Sequence, residues 1–369
     1  MIYMNNAATS FPKPECVGKA MAETILREPG DGYRGGSDTV CIFDSVRREL
    51  TPILGVSEPR QIALGPNATW GLNLGIFGFP LLPGDCVVST KAEHNSVLRP
   101  LHQLSQRGIR VVLLDTDPTG RIDPDLWAQA METCRPRLAV FTHASNVTGA
   151  VNDAAALTSA AKAFGACVMI DAAQTLGFSS LQAEAWGADM VAFTGHKYLL
   201  GPQGTGGLWI RPGLDLQPYL VGGTGIQSDL DAMPEAMPLH LEAGTGNEPS
   251  FSGLLAALQW QKEHPADRQA ILRKAHNLAE GLRLLGAQVI EPNGERTPVI
   301  SFQLPGISTE ETGYLLRESC QIVCRTGLHC APRIFSCLGM KQSVRLSLSR
   351  FNTDAEIEEV LQAVEAILS

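Results

Sequence analysis

Thr194-Gly-His-Lys-Tyr-Leu-Leu-Gly-Pro-Gln-Gly-Thr-Gly-Gly207 lies between Asp189-Met-Val-Ala-Phe193 and Leu208-Trp-Ile210. The apolar, β-branched run before it reads as a buried strand, and the run after it as a second. The glycines between them forbid a long helix. His196 and Lys197 therefore sit on a tight turn at the mouth of a sheet, where open α/β folds place their ligands. A lysine there is either an ordinary solvated side chain or an amine that forms an imine with a carbonyl.

A second stretch, Val168-Met-Ile-Asp171-Ala-Ala-Gln174, bears on that choice, because a buried-looking strand ends in an aspartate. Enzymes that use pyridoxal phosphate (PLP) need a carboxylate against the pyridinium nitrogen, since the protonated ring is the electron sink. A carboxylate close by keeps that proton on. A strand ending in Asp171, followed 26 residues later (197 − 171) by strand, turn and Lys197, resembles the class V, fold-type I family of PLP-dependent enzymes. The resemblance implies an α/β fold with a mostly parallel sheet flanked by helices in a large domain, residues 16–250. A smaller α+β domain would be built from residues 1–15 and 251–369.

Composition sets the outer bounds. A chain of 369 residues is long enough for one large core and a smaller one. Its 44% hydrophobic content and a mean hydropathy of +0.02 describe a soluble globular protein. A net charge of −9 (29 − 38) argues against a nucleic-acid surface. No run approaches the ~18 apolar residues of a membrane helix. The opening Met1-Ile-Tyr-Met-Asn-Asn has no basic segment leading into an apolar one, so no signal peptide is expected. Nine scattered cysteines without a Cys-x-x-Cys pair make a disulfide framework unexpected and a reducing, cytoplasmic location the default. Cys320, Cys324, Cys330 and Cys337, with His329, lack the paired spacing of structural zinc, so no metal site is expected.

In chain order, Tyr3-Met-Asn-Asn-Ala-Ala-Thr9 is a short extended opening whose paired asparagines suit a turn. It is similar to a family peptide that lines the substrate pocket, which places Ala8 there. Residues 14–28 read as a helix. Gly30-Asp-Gly-Tyr-Arg-Gly-Gly36 reads as a flexible loop, and Ser37 stands where the family often has histidine, so the loop is assigned no chemical role. Gln61-Ile-Ala-Leu64 reads as a strand leading through Gly65-Pro-Asn-Ala-Thr69 into a helix. Such a start is an N-cap threonine or an anion site. The resemblance implies the latter, with Ala68 and Thr69 at the cofactor phosphate, although Trp70 replaces the family's glutamate.

Cys86-Val-Val-Ser89, Arg110-Val-Val-Leu-Leu114 and Leu138-Ala-Val-Phe-Thr142 read as further strands of a largely parallel sheet with crossover helices. The first leads to Glu93-His-Asn-Ser-Val97, where His94 alone would be a capping or surface residue. The resemblance instead implies a histidine lying on the PLP ring and able to move protons. His143-Ala-Ser-Asn-Val-Thr-Gly149 is similar to a motif whose asparagine, here Asn146, touches cofactor and substrate. Gly222-Gly-Thr-Gly225 is by itself only a glycine-rich turn; the resemblance implies that Thr224 reaches the phosphate of the neighbouring subunit's cofactor, hence a homodimer with shared sites. Residues 250–260 read as a helix joining the domains. Thr353-x-x-Glu356 is a capping box, and Ile357, Val360, Leu361, Val364 and Leu368 form an apolar stripe behind it.

The reaction is narrowed by Val323-Cys-Arg325-Thr-Gly-Leu-His329-Cys330-Ala-Pro332. Arg325 and Cys330, five residues apart, resemble the persulfide-forming segment of the cysteine desulfurase and selenocysteine lyase family, short-loop type. Arg345, fifteen residues on (345 − 330), resembles its companion arginine. A guanidinium fork holds a carboxylate bidentately, which suits an amino-acid substrate. Cys330 by itself would more often be an inert thiol.

The resemblance implies that L-cysteine displaces Lys197 from PLP with its carboxylate on Arg345 and Arg325. Lys197 then removes the Cα proton while Asp171 keeps the ring protonated. Gln174 and Asn146 would orient the cofactor, Thr69, Thr194 and His196 would hold its phosphate, and His94 would accept the substrate thiol proton. Cys330 attacks as a thiolate, keeps the sulfur as a persulfide and passes it to an acceptor protein or small thiol. Selenocysteine as substrate, a class V aminotransferase or epimerase, and a PLP-binding sulfur-carrying scaffold with little turnover all remain compatible with the residues.

Overall fold

The computed structural model describes residues 1–27 and 41–369; the glycine-rich loop 30–36 and Ser37 lie outside the described residues. Seven strands form the central sheet, in the order Ile62–Gly65, Gly206–Ile210, Met190–Thr194, Cys167–Asp171, Leu138–Thr142, Cys86–Thr90, Arg110–Leu114. Neighbours from Met190–Thr194 through Arg110–Leu114 pair in parallel, and Gly206–Ile210 runs antiparallel to both its neighbours. The strands Cys86–Thr90, Leu138–Thr142, Cys167–Asp171 and Met190–Thr194 are buried along their whole length. Their continuous apolar runs are what a sheet covered on both faces requires. Alternate residues feed two layers: Phe141, Ile170 and Phe193 point to one, Val140, Met169 and Ala192 to the other.

The exceptional strand has a local cause. The lysine turn closes on itself as a hairpin-like return, with Gly195 N donating to Thr205 O at 2.8 Å and Gly201 N to Gly195 O at 2.9 Å. The chain then re-enters between two existing strands. Gly207 is needed there, because a Cβ would lie 2.4 Å from the carbonyl oxygen of Ala63. The C-terminal ends of the six strands that share one direction therefore collect, at one edge, every loop that carries a candidate residue from Thr69 to Lys197.

The smaller body is a four-stranded antiparallel sheet, Arg325–Gly327, Ser343–Ser347, Val299–Gln303, Gln288–Ile290. Helices Arg268–Leu284 and Asp354–Leu368 bury Leu278, Leu282, Val360 and Val364 in its core. The Thr353/Glu356 capping box is present. Ile2–Tyr3 pairs in parallel with Ile322–Val323, so the chain start belongs to this body. The boundary expected at 250/251 falls inside the helix Glu248–Glu263. Its Phe251, Leu254 and Leu258 pack in the larger core, and we propose that the smaller body begins after that helix. Among the described residues no helix is long and apolar enough to cross a membrane.

One buried ion pair fastens the large body near the candidate phosphate turn. Arg47, fully buried on the helix Ile42–Leu54, donates to both carboxylate oxygens of Glu242 and, through Nε, to Ile62 O at 2.9 Å. Glu242 also accepts from Leu64 N at 2.6 Å. Removing one partner of such a pair leaves a buried charge uncompensated. Arg47→Met should cost about 3–5 kcal/mol in urea unfolding, and adding Glu242→Gln should recover a substantial part.

Candidate active site

Asn67, not Thr69, caps the helix Ala68–Gly78: its side chain accepts from Trp70 N at 3.0 Å. That frees the Thr69 hydroxyl, which pairs with Ser96 Oγ at 2.7 Å. Ser96 in turn contacts His94 Nδ1 at 2.8 Å, and its backbone N donates to the same nitrogen at 3.1 Å. His94 is thus the N-cap of the helix Asn95–Gln106, as its position alone suggested. With Nδ1 accepting, the proton of the neutral ring sits on Nε2. Burial, with Lys197 and the arginines adding to it, holds this histidine down to about 4.

Lys197 stands close enough to feel Asp171, Arg345, Arg325 and Cys330. Burial holds its amine down to about 8, only partly offset by the Asp171 carboxylate. Asp171 is buried at the end of its strand, with Oδ1 accepting from Ala173 N at 2.9 Å, and burial pushes its carboxyl up. Thr194 donates to Thr205 O at 3.3 Å.

Cys330 follows the short strand Arg325–Gly327, and Arg325 Nη2 donates to its sulfur at 2.9 Å. Both His329 and Cys330 occupy the left-handed region, at φ 49° and 60°, which non-glycine residues adopt under constraint. The constraint is visible. Asn146 Nδ2 donates to His329 O at 2.7 Å, Asn95 N to Cys330 O at 2.7 Å, and Ala331 N to Leu328 O at 2.8 Å. A small apolar cluster of Ala92, Val147, Ala331 and Ile334 packs the cysteine loop against the loops that carry His94 and Asn146. Arg345, fully buried, gives Nη1 to Asn146 O at 2.9 Å and Nη2 to Asn5 Oδ1 at 3.1 Å. Burial holds this guanidinium down to about 9, reinforced by Arg325.

The residues fit PLP on an observation independent of any motif. Gln174 Oε1, His196 Nδ1 and Arg345 Nε are buried without a hydrogen-bond partner, and the three together leave polar atoms around Lys197 and Asp171 open to a polar ligand. Gln174 is held in place by Nε2 donating to Ala7 O at 3.0 Å, beside Ala8. The model for the aminotransferase class-V family matches residues 2–360. The chain belongs to that family.

Within class V, it is 30% identical to a "Probable cysteine desulfurase" of Streptomyces coelicolor, covering all of this chain and 92% of that one. It is 29% identical to another so named from Methanothermobacter thermautotrophicus, covering 99% and 94%. Its fold is that of a cysteine desulfurase from Thermococcus onnurineus in apo form, with a TM-score of 0.90 at 27% identity over 100% and 94% of the two chains. It is similar also to the Escherichia coli cysteine desulfurase CsdA in an S-sulfonic acid form, with a TM-score of 0.86 at 26% identity over 99% and 94%.

Thr224 lies elsewhere, on a groove of about 740 Å³ beside the phosphate turn, with Trp70, Phe43, Gly246 and Phe251. Its hydroxyl donates to Ile226 O at 3.1 Å.

Sequence reasoning missed Glu93, the neighbour of His94. It is fully buried, with Oε1 accepting from Thr90 Oγ1 at 2.6 Å and Thr142 N at 3.1 Å, while Oε2 has no partner. Burial pushes its carboxyl up to about 8, helped by Asp171. Its place just past the end of the buried strand Cys86–Thr90, directly before His94, was the available signal. Glu93 keeps its proton in the folded chain where an unfolded chain releases it. Stability should therefore fall as pH rises from the ordinary carboxylate range to about 8, by at most about 1.4 kcal/mol per pH unit. Glu93→Gln removes that slope. Urea midpoints compared from about pH 5 to about pH 8 should diverge, with the native chain losing ground; parallel curves would mean that Glu93 is ionised in the fold.

Proposed function

We propose that this chain is a PLP-dependent cysteine desulfurase, converting L-cysteine to L-alanine and leaving the sulfur on Cys330 as a persulfide. The observation that carries the reading is the Arg325–Cys330 hydrogen bond of 2.9 Å, with that sulfur inside the charge group of Lys197 and Arg345. An aminotransferase or epimerase has no use for a thiol held there.

Lys197 would hold the cofactor covalently, Asp171 would face its ring nitrogen, and Gln174 and Asn146 would orient it. Ala68, Thr69, Thr194 and His196 would line its phosphate, and His94 would cover the ring. When bound, the cofactor supplies the electron sink that makes the substrate Cα proton removable. Arg345 and Arg325 receive the substrate carboxylate. An amine held down to about 8 is largely protonated but readily deprotonated at neutral pH, so Lys197 is suited to take that proton and return it. His94, neutral and with Nδ1 engaged by Ser96, is better suited to donate from Nε2 than to accept the thiol proton.

The Cys330 thiolate attacks the substrate sulfur. The Cβ–S bond breaks as the S–S bond forms, and Cβ gains a proton, so cysteine plus enzyme thiol gives alanine plus enzyme persulfide. The short, tied-down loop keeps that persulfide near the site and out of reach of a bulky acceptor. Slow turnover with cysteine alone, and acceleration by a small thiol or a carrier protein with a flexible arm, follow. The Gly222–Gly225 turn supports a homodimer in which Thr224, on the groove beside the phosphate turn, reaches the partner's cofactor phosphate.

Lys197→Ala should abolish the cofactor's absorption band and alanine release together; normal turnover in that variant would sink the assignment. After a single turnover, mass spectrometry should find the added sulfur on Cys330 and none on Cys337, whose thiol faces Asp115 at 3.6 Å. Sulfur found first on Cys337, or full activity in Cys330→Ser, would overturn the nucleophile. Sedimentation of active protein should show a dimer.

A further inference from the structure

The carbonyl oxygen of His196, one peptide bond before Lys197, accepts from four donors, all on the N-terminal segment. They are Ser10 N at 3.0 Å, Thr9 Oγ1 at 3.1 Å, Ser10 Oγ at 3.2 Å and Lys13 Nζ at 3.2 Å. Lys13 also donates to Ser10 Oγ at 2.9 Å. A carbonyl oxygen has two lone pairs, so this is a crowded anchor. Within the turn the backbone is already tied, Lys197 O to Leu200 N at 2.9 Å and Gly195 O to Gly201 N. The His196 carbonyl is what fastens it to the N-terminal segment. Burial holds the Lys13 amine down to about 8, so an ammonium has been drawn out of water to make this contact.

The other end of the same segment meets the substrate side. Asn5 Oδ1 accepts from Arg345 Nη2 at 3.1 Å, Asn6 Nδ2 donates to Ser347 O at 2.9 Å, and Ala7 N to Ser347 Oγ at 2.8 Å. Tyr3 OH braces the middle by donating to Thr9 O at 2.9 Å. Arg345 has Nη1 on Asn146 O and Nε without a partner. A carboxylate taking the fork of Nε and Nη2 would share Nη2, which carries two N–H groups, with Asn5. Asn5 therefore stands directly beside the place where a carboxylate on Arg345 would bind.

We infer that residues 5–13 are a coupling strap: a carboxylate arriving at Arg345 shifts Asn5, and the strap carries that change to the His196 carbonyl and so to Lys197. Lys13 is the positioning residue at the lysine end. The inference rests on the reading of Lys197 and Arg345 given above.

The test uses the cofactor-loaded protein and propionate, a carboxylate with no amine to displace Lys197. In the native chain, propionate should perturb the cofactor's absorption band. Lys13→Met should abolish that response and lower kcat about tenfold, with KM and cofactor affinity within about twofold, as loss of a charge-assisted hydrogen bond predicts. Lys13→Arg should restore most of both. A Lys13→Met protein that responds to propionate and turns over like the native chain overturns the strap. Should that variant fail to fold, Thr9→Val with Ser10→Ala removes two of the four donors and is judged by the same two outcomes. A native band that ignores saturating propionate overturns the strap alone. A native chain with no band at Lys197 overturns the functional reading and the strap with it.

Discussion

Drawing the Lys197 amine out of water beside a single carboxylate is the constraint on which the site depends. Alone in a low-dielectric pocket, an ammonium would simply lose its proton. Asp171 restores part of the balance, and the amine settles near neutrality, where it can both give and take a proton. Nothing in the turn itself supplies that carboxylate. It comes from the adjacent strand, held in register by the pairing of Asp171 with Ala192. The parallel sheet is therefore the device that sets the chemistry of the lysine, and its twin apolar layers keep the two strand ends from drifting.

The same edge gathers opposite demands. Arg325, Arg345 and Lys197 concentrate positive charge that suits an anionic substrate and a sulfur nucleophile. His94 and His196 are kept neutral by burial, with Lys197 adding to it in both. Glu93 holds a proton beside Asp171, so only one of two neighbouring carboxyls need carry charge. The arrangement sets a cationic cluster beside neutral, buried side chains.

Much of this was legible in the sequence because it is local. The strands ending at Asp171 and Thr194, the lysine turn and the Thr353 capping box follow from runs of a few residues, and the structure has them where the patterns put them. Thr69 fits either a cap or an anion site on its sequence; the cap is taken by Asn67, two residues earlier, and the Thr69 hydroxyl turns to Ser96. What stayed hidden is long-range. Arg47 meets Glu242, Arg345 meets Asn5, and Lys13 meets the His196 carbonyl across gaps that no periodicity reports. Which core the helix Glu248–Glu263 enters was hidden for a related reason. A helix that links two bodies looks the same in sequence whichever core its apolar face enters.

The pairing of Ile2–Tyr3 with Ile322–Val323, and of Asn6 with Ser347 across 341 positions, has a consequence for how the molecule is made. Loop closure over such a span carries an entropy cost that only a finished small body can repay. A chain emerging amino end first can assemble the central sheet and the lysine turn while its first residues stay unpartnered. The contacts of Arg345 and Ser347 with residues 5–7 form only once the strand Ser343–Ser347 has been made. A chain cut short of that strand keeps the central sheet and the lysine turn and lacks Arg345 with its hold on the first residues.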